Sequence, residues 1–117
     1  MGTKSKVTEY TGICFFCGRP AEGEHHLLFG NGMRELCEED GLKIPICNNC
    51  HNMGNMSGRI HGNVMAEKFS KMLGQALWEK EWLLKDMFDD SLDKESRTQE
   101  KRSARNEFRI RYGKSYL

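Results

Sequence analysis

Residues 42–52 read LKIPICNNCHN, and this stretch decides how the rest of the chain must be arranged. A short apolar run that contains Pro45 is typical of a strand at an edge or end of a sheet. Cys47 and Cys50 follow at once as a C-x-x-C pair, and His51 comes next. Two thiolates at this spacing can bind the same zinc ion. The stretch therefore predicts a strand that leads directly into a metal-binding turn.

A second C-x-x-C pair, CFFC, lies near the start of the chain. Cys14 and Cys17 are separated from Cys47 and Cys50 by 29 residues. Because zinc prefers four tetrahedral ligands, we expect one structural zinc ion held by all four sulfurs. The alternatives are buried thiols or a redox pair, although a redox C-x-x-C usually accompanies a βαβ pattern that this sequence lacks. Cys37 lies outside both pairs and is predicted to be a small buried or half-exposed residue.

Composition limits the size and class of the fold. With 117 residues, 30% charged and 38% hydrophobic, the chain predicts one domain with a thin core, which a metal or a second copy of the chain would help to stabilise. An odd number of cysteines argues against a disulfide framework. No apolar run approaches the ~20 residues that a bilayer crossing needs, and no signal peptide is apparent. These features predict a cytoplasmic, intracellular protein without a membrane partner.

The remaining segments predict short strands followed by helices. HHLLF at residues 25–29 is typical of a strand, and MRELCEED at residues 33–40 predicts one or two helical turns. Asn63 can cap a long helix. Its apolar residues recur at helical spacing, and we expect that stripe to face the core. The stripe consists of Met65, Phe69, Met72, Leu73, Ala76, Leu77, Leu83, Leu84 and Met87, and Trp78 and Trp82 widen it.

The end of the chain is basic. Residues 79–95 carry a net charge of −4, whereas residues 97–117 carry +5. A capping box at residues 96–99 predicts a last helix over residues 97–112 that ends at Gly113. One of its stripes is apolar (Ala104, Phe108 and Tyr112) and another is basic (Lys101, Arg105 and Arg109). The domain boundaries that we predict are a lead-in at 1–12, a zinc-bound domain at 13–90 and a basic helix at 91–117.

The four histidines, His25, His26, His51 and His61, lie in or beside the zinc region. On a strand, neighbouring side chains face opposite sides, so His25 and His26 cannot both bind one ion without distortion. One of them can hold a metal while the other acts as a base, because imidazole suits both roles near neutral pH.

Four segments together resemble the HNH, or ββα-metal, nucleases: CFFC, EHHLLFG, DGLKIPICNNCH and RIHG. The resemblance covers residues 14–62. Within the family, this segment is similar to the small zinc-bound HNH proteins of phages and prophages, including the phage recombination-enhancement nuclease group. It implies a small α+β fold, with a zinc-stabilised ββα-metal core followed by two C-terminal helices. It also implies an endonuclease that hydrolyses DNA phosphodiester bonds with one divalent ion (Mg²⁺, Mn²⁺, Ni²⁺ or Zn²⁺).

The resemblance assigns roles to individual residues. It implies that His26 is the general base, that His25 and His51 are ligands of the divalent ion, and that His61 is a third ligand or a phosphate contact. The central Asn of the family has no clear counterpart, and Asp40 lies about where it would be and could tether the loop between the strands. Glu24 is an alternative ligand.

Some residues outside the histidine region could contact DNA. Arg59 could contact a phosphate or be a solvated loop residue, and the basic stripe of the last helix could contact flanking phosphates. Trp78 and Trp82 are better explained by packing than by base stacking. The competing function is a non-catalytic zinc ribbon that binds nucleic acid or a protein partner.

Overall fold

The computed structural model describes residues 3–87 and 104–117, which form a small α+β structure. Strand β1 (Gly23–His26) is followed by helix α1 (Met33–Asp40) and strand β2 (Lys43–Ile46). A π-helical turn at Asn49–Met53 and a 3₁₀ turn at Met56–Gly58 lead to the long helix α2 (Val64–Met87). Residues 104–112 are helical as well, and we call them the C-terminal helical segment. None of the described helices is both long enough and apolar enough to span a bilayer.

The two strands form an antiparallel hairpin whose connection contains α1. Gly23 pairs with Ile46 at one end and His26 pairs with Lys43 at the other. α1 ends at Gly41, which has φ +70°, and a Cβ there would lie 2.6 Å from the carbonyl oxygen of Lys4. Glycine is therefore required at the turn that brings the chain back into β2. The predicted strand at residues 25–29 is shifted, because β1 occupies Gly23–His26.

The main core lies where α1, the chain after β1 and the C-terminal helical segment meet. Cys37 is buried there, and its Sγ accepts a hydrogen bond of 3.2 Å from the backbone N–H of Leu28, which confirms the prediction for this cysteine. Ala104, Phe108 and Tyr112 are buried as the apolar stripe predicted. The capping box at residues 96–99 and Lys101 lie outside the described residues.

The predicted orientation of α2 is wrong for most of its apolar stripe, although Leu77 and the adjoining Trp78 pack against the main core. Met65 is 72% exposed and Phe69 is 64% exposed, and Leu73, Leu84 and Met87 are also exposed, whereas the helix buries Ser70, Gly74, Gln75 and Asp86. The reason is close packing at Gly74, where a Cβ would lie 3.0 Å from the Leu28 side chain. Helical spacing identifies an apolar stripe, but it does not determine which face meets the sheet.

The start of α2 follows the prediction. The N–H of Ala66 donates to Oδ1 of Asn63 at 3.2 Å, so Asn63 caps the helix. Further along, the rings of Trp78 and Phe108 pack edge to face with centroids 5.5 Å apart. This contact supports the packing role that we expected for Trp78.

Candidate functional site

The first candidate site is the cluster of four cysteines. One ligand sulfur from each of Cys14, Cys17, Cys47 and Cys50 lies within 4.8 Å of the others. The backbone N–H of Phe15 donates to the Pro45 carbonyl at 2.9 Å, which ties the first cysteine turn to β2, the strand that leads to the second. Four thiol ligands in this arrangement suit tetrahedral zinc, so the cluster could hold a structural metal such as zinc.

Local hydrogen bonds prepare one of these thiols for metal binding. Burial alone would raise the pKa of the Cys14 thiol, but backbone N–H groups of Cys17, Cys47 and Phe16 lower it to about 6. At Cys50, burial raises the pKa to about 12, and the neighbouring thiols add to that effect. Because thiolates are the metal-binding form, Cys14 is ready to bind a cation at neutral pH, whereas Cys50 must release its proton to do so.

The second candidate site is a cluster of three histidines. The ligand nitrogens of His25, His51 and His61 lie within 4.8 Å of one another. His25 comes from β1, His51 from the π-helical turn that follows Cys50, and His61 from the loop before α2. The N–H of His51 donates to the Cys47 carbonyl at 3.1 Å, and the N–H of His61 donates to the His51 carbonyl at 2.9 Å. The second cysteine turn therefore also orients two of the imidazoles.

The electrostatic environment favours the neutral form of His25 and His51. His25 is 1% exposed, and its burial, followed by the positive charge that His61 and His51 would carry, lowers its pKa to about 3. Burial also lowers the pKa of His51, with His61 as the next cause. Neutral imidazole is the metal-binding form of histidine, so this donor set fits a divalent transition metal ion or zinc.

A hydroxyl on α2 fixes the tautomer of His25. Ser70 Oγ donates to the Leu27 carbonyl at 2.7 Å and lies 2.8 Å from Nε2 of His25. A hydroxyl has only one proton to donate, so Nε2 of His25 must be the donor in the second contact. Nδ1 is then left with its lone pair free, which is the arrangement of a metal-binding histidine supported by a neighbouring residue.

His26 faces the other side of β1, as the alternation of strand side chains predicts. It is not part of the three-histidine cluster, and its Nε2 lies 2.9 Å from Oε1 of Glu38 on α1. Lys43 donates to the other oxygen of Glu38 at 2.6 Å, and this hydrogen bond, followed by that of His26, lowers the pKa of Glu38 to about 2. The carboxyl group beside His26 is therefore ionised under ordinary conditions.

A cavity of about 190 Å³ is bordered by both His25 and His26. Its lining residues are Glu24, His25, His26, Phe29, Arg34, His51 and His61. Phe29 closes one side, with its ring centroid 5.0 Å from that of His61. Arg34 is exposed at the first turn of α1 and makes no ion pair within residues 3–87 and 104–117. The cavity thus joins the histidine cluster, His26 and a guanidinium group.

Two residues that the sequence placed at the site have other roles. Asp40 does not join the histidines. It accepts hydrogen bonds from Arg111 Nε at 2.7 Å and Tyr112 Oη at 2.6 Å, so it ties α1 to the C-terminal helical segment rather than tethering the loop at the cavity. Glu24 lines the cavity but lies outside the histidine cluster, and its Oε1 accepts a hydrogen bond from Lys43 at 3.3 Å.

The arginines expected to contact phosphate are largely occupied by the protein itself. Arg59 donates from Nε to the His61 carbonyl at 2.6 Å and from Nη1 to the Gly54 carbonyl at 3.2 Å, so it shapes the loop that carries His61. Arg105 forms an ion pair with Glu79 at 3.2 Å, and Arg109 donates to Asn106 at 2.7 Å. The guanidinium groups of Arg105 and Arg109 are therefore less available to phosphate than the sequence suggested.

Three residues near the histidines were not identified from sequence: Arg34, Glu38 and Ser70. Arg34 and Glu38 are four residues apart on α1, a spacing that places them on one helix face, but nothing in the sequence indicates that this face meets His26. Ser70 lies 45 residues from His25, so only the packing of α2 brings them together.

Comparison with protein-family models, curated proteins and solved structures gives no match to this chain.

Proposed function

We propose that this chain is a metal-dependent endonuclease of the HNH type that hydrolyses DNA phosphodiester bonds. One arrangement carries the proposal. Three imidazoles from separate parts of the chain converge within 4.8 Å of one another, and a fourth, on His26, borders the same cavity from the opposite face of β1. A cluster of metal ligands beside a separate base supports metal-assisted hydrolysis in which the base activates the water.

Each residue has a distinct role in this proposal. His25, His51 and His61 would hold the divalent ion, which supplies positive charge at the phosphate and at the departing oxygen when bound. His26 would accept a proton from the attacking water. Arg34 would neutralise a non-bridging phosphate oxygen, because its guanidinium group borders the cavity without an ion-pair partner among the described residues.

The charge of the donor set supports an anionic substrate. Three neutral imidazoles contribute no negative charge, so a divalent ion at this cluster would retain its full positive charge. Arg34 adds to this positive charge at the cavity. A phosphodiester backbone, with one negative charge per phosphate, matches such a site electrostatically.

The competing proposal is a non-catalytic zinc module that binds nucleic acid or protein. One observation favours it: the four-cysteine cluster contains a full set of zinc ligands without any of the histidines. Phe16, on the turn between Cys14 and Cys17, is also exposed and available to a partner. This module would bind without cleaving.

Cleavage of supercoiled plasmid in the presence of Mg²⁺, Mn²⁺, Ni²⁺ or Zn²⁺ distinguishes the two proposals. A nuclease converts the plasmid to nicked or linear forms with at least one of these ions, and His26→Ala reduces the rate by about 10²- to 10⁴-fold. Zinc content and circular dichroism of the variant should match the wild type. Ile110→Ala, an exposed change outside both the cavity and the basic stripe, is the control and should cleave normally. A wild-type protein that binds DNA but does not cut it with any ion would support the binding module.

A further inference from the structure

A hydrogen bond to Glu38 determines which ring nitrogen of His26 carries the proton. His26 is half-buried, and its ring lies between the strand and α1, where Nε2 meets Oε1 of Glu38 at 2.9 Å. A carboxylate has only acceptor oxygens, so the proton in this hydrogen bond must be on Nε2 of His26. In the neutral imidazole, Nδ1 is therefore the nitrogen with a free lone pair.

Glu38 is itself held in place from behind. The Nζ of Lys43 donates to its Oε2 at 2.6 Å, so each carboxylate oxygen has a separate partner. Lys43 is buried and pairs with His26 in the strand register. A buried ammonium group requires a nearby negative charge, and Glu38 is the closer of the two carboxylates paired with Lys43 among the described residues, with Glu24 at 3.3 Å. The order Lys43, Glu38, His26 is therefore a continuous hydrogen-bonded chain that ends at the cavity.

We propose that Glu38 is a positioning residue for the general base: it accepts the Nε2–H of His26 and leaves Nδ1 as the atom that receives the proton from water. This inference rests on the proposed nuclease function. As the water oxygen bonds to phosphorus, one water proton moves to Nδ1, and the bond from phosphorus to the departing oxygen breaks. That oxygen takes a proton from solvent, and His26 later releases to solvent the proton that Nδ1 accepted. Glu38 remains a carboxylate throughout and stabilises the transient imidazolium.

A purely structural role is the alternative that the experiment must exclude. In that case the ion pair between Glu38 and Lys43 would only hold α1 against β2, and the orientation of the His26 ring would not depend on it. If Glu38 positions the base, its removal changes the exchange of the His26 ring proton and lowers kcat with little change in KM. If its role is only structural, neither quantity changes in a folded variant.

The test uses the full-length chain and two measurements. The first is nitrogen-15 NMR of the His26 ring, above the ordinary imidazole pKa and without added divalent ion, in the wild type and in Glu38→Ala. In the wild type we expect Nε2 to carry a slowly exchanging proton, and in the variant we expect that proton to exchange rapidly. The second is plasmid cleavage, where kcat should fall about 10- to 100-fold while KM changes little, as is typical when a supporting residue of a site is lost.

Control variants protect the test against simple unfolding. Glu38→Ala leaves Lys43 buried without its closer partner, so the double variant Glu38→Leu/Lys43→Met, which removes both charges and the acceptor of the His26 proton while keeping apolar bulk, is measured beside it. It should fold and still show the loss of kcat. Glu39→Gln, on the exposed side of the same helix, should leave both measurements unchanged.

The outcomes separate this inference from the proposed function. If the His26 ring signals and kcat are the same in wild type, Glu38→Ala and the double variant, Glu38 does not position the base, even if the protein is a nuclease. If the wild type does not cleave DNA, the nuclease proposal is overturned and the role of Glu38 as the positioner of a base is overturned with it. In that case the NMR measurement reports only on the hydrogen bond.

Discussion

His25 and Ser70 are 45 residues apart in sequence and are joined by one buried hydrogen bond of 2.8 Å. The Ser70 hydroxyl donates its one hydrogen bond to the Leu27 carbonyl, so the bond to His25 can exist only if the imidazole donates from Nε2. Helix α2 thereby determines which nitrogen of His25 is available to a metal. The side of α2 that carries Ser70 is therefore the side that packs against His25 and Leu27.

Ser70→Ala should therefore impair metal binding as well as stability. The change leaves the Nε2–H of a buried histidine without an acceptor, which typically costs about 1–3 kcal/mol. We also expect the affinity of the histidine cluster for Ni²⁺, measured by titration calorimetry on zinc-loaded protein, to fall about 10- to 100-fold. Ser57→Ala changes an exposed serine in the same way and serves as the control. Equal Ni²⁺ affinities in Ser70→Ala and the wild type would contradict this role.

The cysteine cluster should hold one zinc ion per chain, and the fold should depend on it. Cys17→Ser removes a ligand sulfur, so metal analysis should show loss of tight zinc binding, and circular dichroism should show partial unfolding. Cys37→Ser makes the same chemical change at a buried cysteine outside the cluster. It should leave the zinc content at one, although it will lower stability. Retention of zinc by Cys17→Ser, or its loss from Cys37→Ser, would show that the ligands are different.

Local patterns were sufficient to predict several parts of the fold. α1 occupies the predicted residues 33–40, and β2 lies within the predicted run at residues 42–47. The cysteine spacing identified the four sulfurs that cluster, and strand alternation separated His25 from His26. Each of these features depends on residues close together in sequence, where turn chemistry and side-chain periodicity dominate.

The parts that could not be predicted depend on how distant segments pack. The role of Asp40 was assigned by its position between the strands, but its carboxylate meets Arg111, 71 residues away. The inward face of α2 was assigned by its apolar stripe, but close approach at Gly74 and the hydrogen bond of Ser70 determine the orientation. No local pattern records such contacts, because each becomes apparent only when two elements are placed together.

The close approach at Gly74 predicts the effect of adding one methyl group. A Cβ there would lie 3.0 Å from Cγ of Leu28 and 3.1 Å from Cβ of Leu27, and both leucines are fully buried. Alanine would gain about 1 kcal/mol of helix propensity. We expect overpacking of about 1–3 kcal/mol to outweigh that gain, so that Gly74→Ala is destabilising. Urea denaturation measures the difference, and a variant more stable than the wild type would show that α2 can move away from Leu27 and Leu28.

Two phenylalanines test the corrected orientation of the helices. Phe108 is 0% exposed, so Phe108→Ala should cost about 3–5 kcal/mol. Phe69 lies on α2 and is 64% exposed, so Phe69→Ala should change the free energy of unfolding by only about 0.5 kcal/mol or less. The same substitution at both positions makes the comparison direct. A large loss at Phe69 would mean that a partner or another copy of the chain covers this face in solution.

The link between Lys43 and Glu38 predicts how acid affects stability. The hydrogen bond from Lys43, with that of His26 second, lowers the pKa of Glu38 from 4.5 to about 2. Between these values the unfolded chain binds a proton that the folded chain does not, so the contribution of Glu38 is complete above pH 4.5 and is lost as the pH falls towards 2. The wild type should therefore be more stable than Glu38→Gln near neutral pH, and this difference should shrink on acidification.

Taking the difference at each pH removes contributions common to both proteins, including that of the cysteine cluster. In a Lys43→Met background the same comparison should lose most of its pH dependence, and a difference that stays as steep without Lys43 would assign the effect to another residue.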